Sequence, residues 1–281
     1  MPSKNRLAIN AILALVIAVS VSCRGTGVMK VAEFSKHDQA LPRTITLVNW
    51  NTQKGGNPQF VPDLAILLER EQPDIVFLQE ARVDLVQVKQ MGGYFANGWS
   101  YPWPGGTMVG VLTLSRIPPL RIEPVPTRYR EFFVTAPKVS LISEYSLPDG
   151  QKLLTVNVHL LNFERWGDLK LHDQLQDLRS LLKIHTGPII MAGDFNTWNE
   201  NKLRLVEEIA GDLMLTEVMD FPVGRTTGDL QADFLNTIFG IQSDLPLDRV
   251  YYRGFSIDSA RVLPYESSDH RPIAVRLTLK P

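Results

Sequence analysis

The sequence predicts an α/β fold, with two packed sheets and helices on their outer faces. Strand-like and helix-like runs alternate early in the chain, and strand pairs dominate later. Asp74 to Gln79 and Pro188 to Ala192 are short, continuous apolar runs, as in strands covered on both faces. Asp, Glu, Asn and His gather at strand ends, where loops along one sheet edge can converge on a site. With 281 residues, 44% hydrophobic and 21% charged, the chain has the apolar mass for one large domain.

In order, Thr44 to Asn51 reads as a strand that ends in polar residues, and Lys54 to Pro58 as a turn. Phe60 to Arg70 is apolar at 60, 61, 64, 67 and 68, the spacing of an amphipathic helix, which Pro73 stops. Glu80 closes the strand from Asp74, and Ala81 to Gln90 is expected to be helical. Thr107 to Leu114 is a strand before the Pro118-Pro119 break. Ala136 to Leu147 and Lys152 to His159 form a hairpin around Pro148-Asp149-Gly150. Trp166 to Ile184 is the clearest helix, and a further helix lies near 201–210. Strands at Leu247 to Tyr252, Phe255 to Val262 and Ile273 to Leu279 complete the set.

Residues 1–23 read differently. Lys4 and Arg6 precede an apolar stretch from Leu7 to Val21, then Ser22-Cys23. A basic start, roughly 7–15 apolar residues and small residues after them describe a secretory signal. The stretch is short against the roughly 20 residues of a membrane span. Cys23 is the only cysteine, so it forms no internal disulfide, and its position suits lipidation. The expectation is a signal peptide or lipoprotein signal over 1–23, a tether over 24–43 and the folded domain over 44–281. The chain is then placed at the bacterial cell envelope, anchored in the membrane or secreted. The formal charge is -1 and nothing in the chain resembles a basic nucleic-acid arm, although a bound metal can supply positive charge for catalytic engagement of nucleic acid.

A single Asp or Asn after a strand is ordinarily a turn former or helix cap. Their joint occurrence at strand ends carries the functional reading. A carboxylate at Glu80, closing an apolar run, needs a counter-charge, and a hard cation such as Mg²⁺ suits it. Asn51 and Asp269 can help to hold that ion. Asp194 can take a proton from water, and Asn196 can orient that water or a phosphate oxygen. His159 and His270 can donate to developing negative charge. Asp248 can orient a histidine, as the third member of a triad does. No nucleophilic Gly-x-Ser-x-Gly and no phosphate-cradling Gly-x-x-x-x-Gly-Lys loop is present. Metal-assisted attack of water on a phosphate ester is the reaction these residues support.

The motifs Trp50-Asn51, Leu78-Gln79-Glu80, Gly110 to Ser115-Arg116, Asn157-Val158-His159, Gly193-Asp194-Phe195-Asn196, Asp248-Arg249 and Ser268-Asp269-His270 resemble those of the endonuclease/exonuclease/phosphatase superfamily. The likeness runs from about Thr44 to Leu279 and is greatest to a bacterial subgroup apart from the best-known branches. It implies a DNase I-like four-layer α-β-β-α sandwich of two mixed, mostly antiparallel sheets. It also implies a divalent-metal-dependent phosphodiester hydrolase using Mg²⁺, or Mn²⁺ in its place. In that scheme Glu80 is the main metal ligand, with Asn51 and Asp269 nearby. Asp194 and Asn196 handle the water, Asp248 holds His270 on the scissile phosphate, and His159 stabilises the transition state.

Substrate choice is less visible. Arg82 is either a nucleic-acid contact or a solvated arginine, and Arg116 with Lys138, Arg128 and Arg130 can form a phosphate-binding rim. Tyr94, Phe95, Trp99, Tyr101 and Trp103 either stack on bases, meet a membrane interface or fill the core edge. The first expectation is a nuclease-like phosphodiesterase, acting as a monomer with nucleic acid as one candidate substrate. The alternatives are a phospholipid or sphingolipid phosphodiesterase, a phosphomonoesterase, and a non-catalytic binding module.

Overall fold

A computed structural model describes residues 27–34, 39–85, 91–97, 108–129, 137–162, 168–219 and 245–281. In chain order its strands are β1 (Val28–Ala32), β2 (Thr44–Asn51), β3 (Ile75–Arg82), β4 (Gly92–Ala96), β5 (Val109–Ser115), β6 (Arg121–Pro126), β7 (Val139–Ser146), β8 (Lys152–His159), β9 (Ile189–Asp194), β10 (Thr216–Glu217), β11 (Asp248–Arg253), β12 (Phe255–Val262) and β13 (Ile273–Leu279). The helices are α1 (Phe60–Glu71), α2 (Leu169–Leu182) and α3 (Glu200–Asp212). One sheet has seven strands in the order β1-β4-β5-β3-β2-β13-β12, and the other has six, β10-β11-β9-β8-β7-β6. Pairing is antiparallel except for β2 with β3 and β8 with β9.

Side-chain alternation builds four layers from this pairing. Leu47 and Phe77 point inward and meet Leu153, Ile190, Ala192 and Val250 of the opposite sheet. Their neighbours Val48 and Leu78 point outward against Leu64, Leu67 and Leu68 of α1. On the far side, Val156 and Met191 pack under Leu175 and Leu178 of α2 and Val206 and Ile209 of α3. Both faces of the central strands are thus covered, which is why they read as continuous apolar runs.

The structure differs from the sequence expectation in places. Residues 28–32 lie inside the expected tether, yet they form β1, an edge strand antiparallel to β4, with Val31 against the outer core. Ala81 and Arg82 extend β3 rather than starting a helix; residues 86–90 of that expected helix lie outside the described residues. The strand β6 contains Pro124 and Pro126, which an edge position tolerates. Phe95 is fully buried in the core. The signal over 1–23 with Cys23, as well as Trp99, Tyr101, Trp103 and Arg130, lies outside the described residues. Among the described residues no helix is long and apolar enough to cross a membrane.

Candidate active site

Topology brings the polar strand ends to one edge. The parallel pairing of β2 with β3 ends at Asn51 and Gln79, beside Glu80, and that of β8 with β9 ends at His159 and Asp194. Antiparallel strands start where these end: Asp248 opposes Asp194 in β11, and Ile273, just after His270, opposes Asn49 in β13.

Two local devices aim the side chains. The ladder between β3 and β5 slips between Leu78 and Ala81, so Gln79 and Glu80 form a bulge. Glu80 has φ 48°, a left-handed conformation that costs a non-glycine residue on the order of 1–3 kcal/mol. Leu78 and Ala81 both join the core on the α1 side, and the two residues between them turn to the inner side. Thr52 holds the bulge, its hydroxyl donating to the carbonyls of Gln79 and Glu80 at 3.1 Å each. The second device is Gly193. A Cβ there would lie 1.9 Å from the Val158 carbonyl oxygen, at φ 154°. Gly193→Ala is therefore expected to destabilise the protein by on the order of 3 kcal/mol, read as a lowered thermal midpoint, and to displace Asp194.

A pocket enclosing about 250 Å³ of open space is lined by Asn51, Gln53, Glu80, Lys138, Asn162, Asp194, Asn196, Asp269 and His270. Asp194 is 2% exposed; its Oδ2 accepts from Asn51 Nδ2 at 2.8 Å, and its Oδ1 accepts from the Asn196 backbone N–H at 2.9 Å. Burial pushes Asp194 up, His270 pulls it down and Asp248 raises it, leaving it at about 6. Asn196 Nδ2 donates to the Leu160 carbonyl at 2.9 Å, while its buried Oδ1 accepts no hydrogen bond among the described residues.

Asp248 reaches His270, with Oδ2 to Nδ1 at 2.6 Å, and both side chains are buried. Burial opposes a charged imidazole, but Asp248 outweighs it and lifts His270 to about 10. His159 behaves in the opposite way. Burial and the nearby Lys138 ammonium hold it well below the usual range, so it is neutral. Lys138 Nζ lies 2.8 Å from His159 Nε2. An ammonium only donates, so Nε2 accepts and Nδ1 carries the proton. His159 Nε2 is 3.7 Å from Asp194 Oδ2. It is Lys138, rather than His159, that lines the pocket.

Glu80 is flanked by two ammonium groups, Lys54 at 2.9 Å and Lys138 at 3.8 Å. Burial pushes its carboxyl up, but these two charges outweigh it and hold it at about 2. Asp269 moves the other way, raised by burial. Among the described residues no three His, Cys, Asp or Glu side chains form a ready cage for a metal. The donor chemistry still fits Mg²⁺, which takes one or two carboxylates and keeps several waters. Glu80 and Asp269 supply those carboxylates and Asn51 an amide around one pocket, and Glu80 already holds a cation in Lys54.

Arg82, Arg116 and Arg128 do not join the pocket. Arg82 pairs with Asp84 at 2.6 Å in the turn after β3. Arg116 lies at the opposite sheet edge, because β5 runs antiparallel to β3; its guanidinium donates to the Pro73 carbonyl at 2.9 Å and to that of Gln72. Arg128 pairs with Asp177 on α2. Gln53, Lys54 and Asn162 surround the site without having been marked by the sequence. Lys54 arrives there through the left-handed turn Gln53–Gly55, which no motif signals. Gln79 and Asn157 stand in the motifs but carried no role of their own, and Asn49 directly precedes Trp50-Asn51.

The family model described as Endonuclease/Exonuclease/phosphatase family matches residues 48–270. A UPF0294 protein of Vibrio vulnificus is 34% identical over 243 residues, covering 84% of this chain and 77% of that protein. An endonuclease/exonuclease/phosphatase from Bacteroides vulgatus superposes with a TM-score of 0.63 at 15% identity, covering 84% of this chain and 99% of the other. D. rerio TDP2, complexed with single strand DNA product, superposes with a TM-score of 0.63 at 18% identity and the same coverages, 84% and 99%.

Proposed function

The chain belongs to the endonuclease/exonuclease/phosphatase family and is a phosphoester hydrolase, and from that premise we propose a nuclease-like phosphodiesterase in which water attacks phosphorus. One observation carries the reading: a single pocket is lined by the Asp194 carboxyl, the unpartnered Asn196 Oδ1 and the His270 imidazolium. Asp194 accepts a proton from water while the water oxygen bonds to phosphorus. The phosphorus–oxygen bond to the leaving group breaks, and that oxygen departs with the electron pair. Asn196 Oδ1 accepts from the same water and aims its lone pair. His270 donates to a phosphoryl oxygen as charge grows there, and Asp248 keeps the ring charged and oriented. Lys138, propped by neutral His159, adds positive charge on the Glu80 side. Glu80, with Asn51 and Asp269, would hold Mg²⁺ or Mn²⁺, which would neutralise charge on the phosphate. The single strand DNA product in D. rerio TDP2 favours a nucleic-acid diester among the candidates.

The purified full chain is expected to cleave plasmid DNA, RNA or bis(p-nitrophenyl) phosphate with Mg²⁺, and to lose that turnover in EDTA. Turnover unaffected by EDTA would remove the metal from the reading. Phosphocholine release from vesicles, or phosphate release from a monoester, without any nuclease turnover would move the substrate to the corresponding class.

A further inference from the structure

Between the sheets, the apolar layer of Leu47, Phe77 and Leu153 gives way toward the pocket to three buried amides, Asn49, Gln79 and Asn157. Their hydrogen bonds have one possible direction. Asn157 Nδ2 lies 3.0 Å from the Leu112 carbonyl oxygen, which can only accept. That fixes the Asn157 amide, so its Oδ1 faces Gln79 and must be met by a donor. Gln79 Nε2 meets it at 2.8 Å and gives its second hydrogen to Asn49 Oδ1, also at 2.8 Å. Asn49 is thereby turned so that its Nδ2 faces Asp248 Oδ1 at 3.4 Å. The other oxygen, Oδ2, is the one that holds His270. A backbone carbonyl of β5 thus sets, through three side chains, which oxygen of Asp248 is left for the histidine.

We infer that Asn49, oriented by Gln79 and Asn157, is a positioning residue that fixes the Asp248–His270 pair. The amide donor occupies one carboxylate oxygen, so the other faces His270 Nδ1 undivided. His270 Nδ1 then keeps its proton on the Asp248 side, and the ring presents Nε2 to the pocket. The inference rests on the reading of His270 as the phosphate contact only for its catalytic consequence. The arrangement of the pair is independent of that reading.

The test is a double-mutant cycle with a spectroscopic arm, on the full chain. Asn49→Ser is expected to lower kcat about ten-fold with KM within two-fold, since the residue does not reach the pocket. Added to Asp248→Asn, it should cost less than a further two-fold, because its route to His270 is already cut. Losses that multiply, or a change confined to KM, overturn the inference. In ¹⁵N-labelled protein with EDTA, the downfield Nδ1–H resonance of His270 should shift or broaden in Asn49→Ser. An unmoved resonance overturns the inference whatever the activity. A shifted resonance in a protein without phosphoesterase turnover would leave the positioning standing and sink the proposed function. If Asn49→Ser does not fold, the isosteric Asn49→Asp faces Asp248 with a second carboxylate, and should move the resonance and kcat in the same directions, further.

Discussion

His270→Ala lowers kcat about 10³-fold in any phosphodiesterase assay the protein supports. The side chain is the one buried, charged imidazole of the pocket, and water cannot replace a donor held 2.6 Å from Asp248. The same change leaves the Asp248 carboxylate buried without its partner, which costs on the order of 3–5 kcal/mol of stability. Circular dichroism melts separate this cost from the chemistry, because kcat is measured well below the midpoint. Activity within ten-fold of wild type would sink the role given to His270. The stability effect also depends on pH with a definite sign. Folding raises His270 from the ordinary 6.5 to about 10, so the folded state binds more protons in that window. The contribution is complete below pH 6.5 and is lost as pH rises through 10. Metal-free wild type should lose more of its thermal midpoint between pH 7 and 10 than Asp248→Asn does.

Asp194→Asn is expected to lower kcat about 10²- to 10⁴-fold with little change in KM. The substitution keeps the size of the side chain, so a packing defect does not account for the loss. It removes the proton acceptor, and it also disturbs the local bonds. Both carboxylate oxygens now accept from donors, Asn51 Nδ2 at 2.8 Å and the Asn196 N–H at 2.9 Å. An asparagine must present its NH₂ to one of them, setting donor against donor. Asn51 donates from a side chain and Asn196 from the backbone, so it is the Asn51 amide that should rotate away. Steady-state kinetics on a soluble diester check this prediction, and turnover near the wild-type rate would rule Asp194 out as the proton acceptor.

The strands at 152–159, 255–262 and 273–279 could be read to the residue. Alternation runs unbroken through 273–279, whereas in 255–262 it changes phase at the bulge between Ile257 and Ser259, and Gly254 and Pro264 mark the limits there. β4 was not legible, since Gly92-Gly93 looks like a turn until β1 and β5 flank it. β6 was hidden by its prolines. The convergence of Asn51, Glu80, Asp194, Asn196, Asp269 and His270 was legible because each stands beside the end of a strand-like run in the sequence, and such ends share an edge. Arg116 shows where that logic stops: it also follows a strand, but strand direction decides the edge, and no local motif states it. Lys54 and the Gln79 network were out of reach for a related reason. One depends on a left-handed turn, the other on which residues meet across the gap between sheets.

The direction of β1 gives the molecule an orientation in space. Val28 pairs with Ala96 and Ala32 with Gly93, while Ala96 opposes Val111 and Gly92 opposes Ser115. Val109 lies beside Arg82, next to the pocket, so the described chain enters the sheet on the pocket side. The last strand leaves the other way, from Ile273 beside Asn49 to Thr278 beside Thr44. The two ends are therefore handles of opposite sense. A support coupled at residue 27 would sit at the sheet end that carries the mouth of the pocket, three strands from β3, and is expected to compete with large substrates for approach. One coupled at Pro281 leaves that mouth open to solution, so the same immobilised enzyme should differ in its access to long polymers by the choice of end alone.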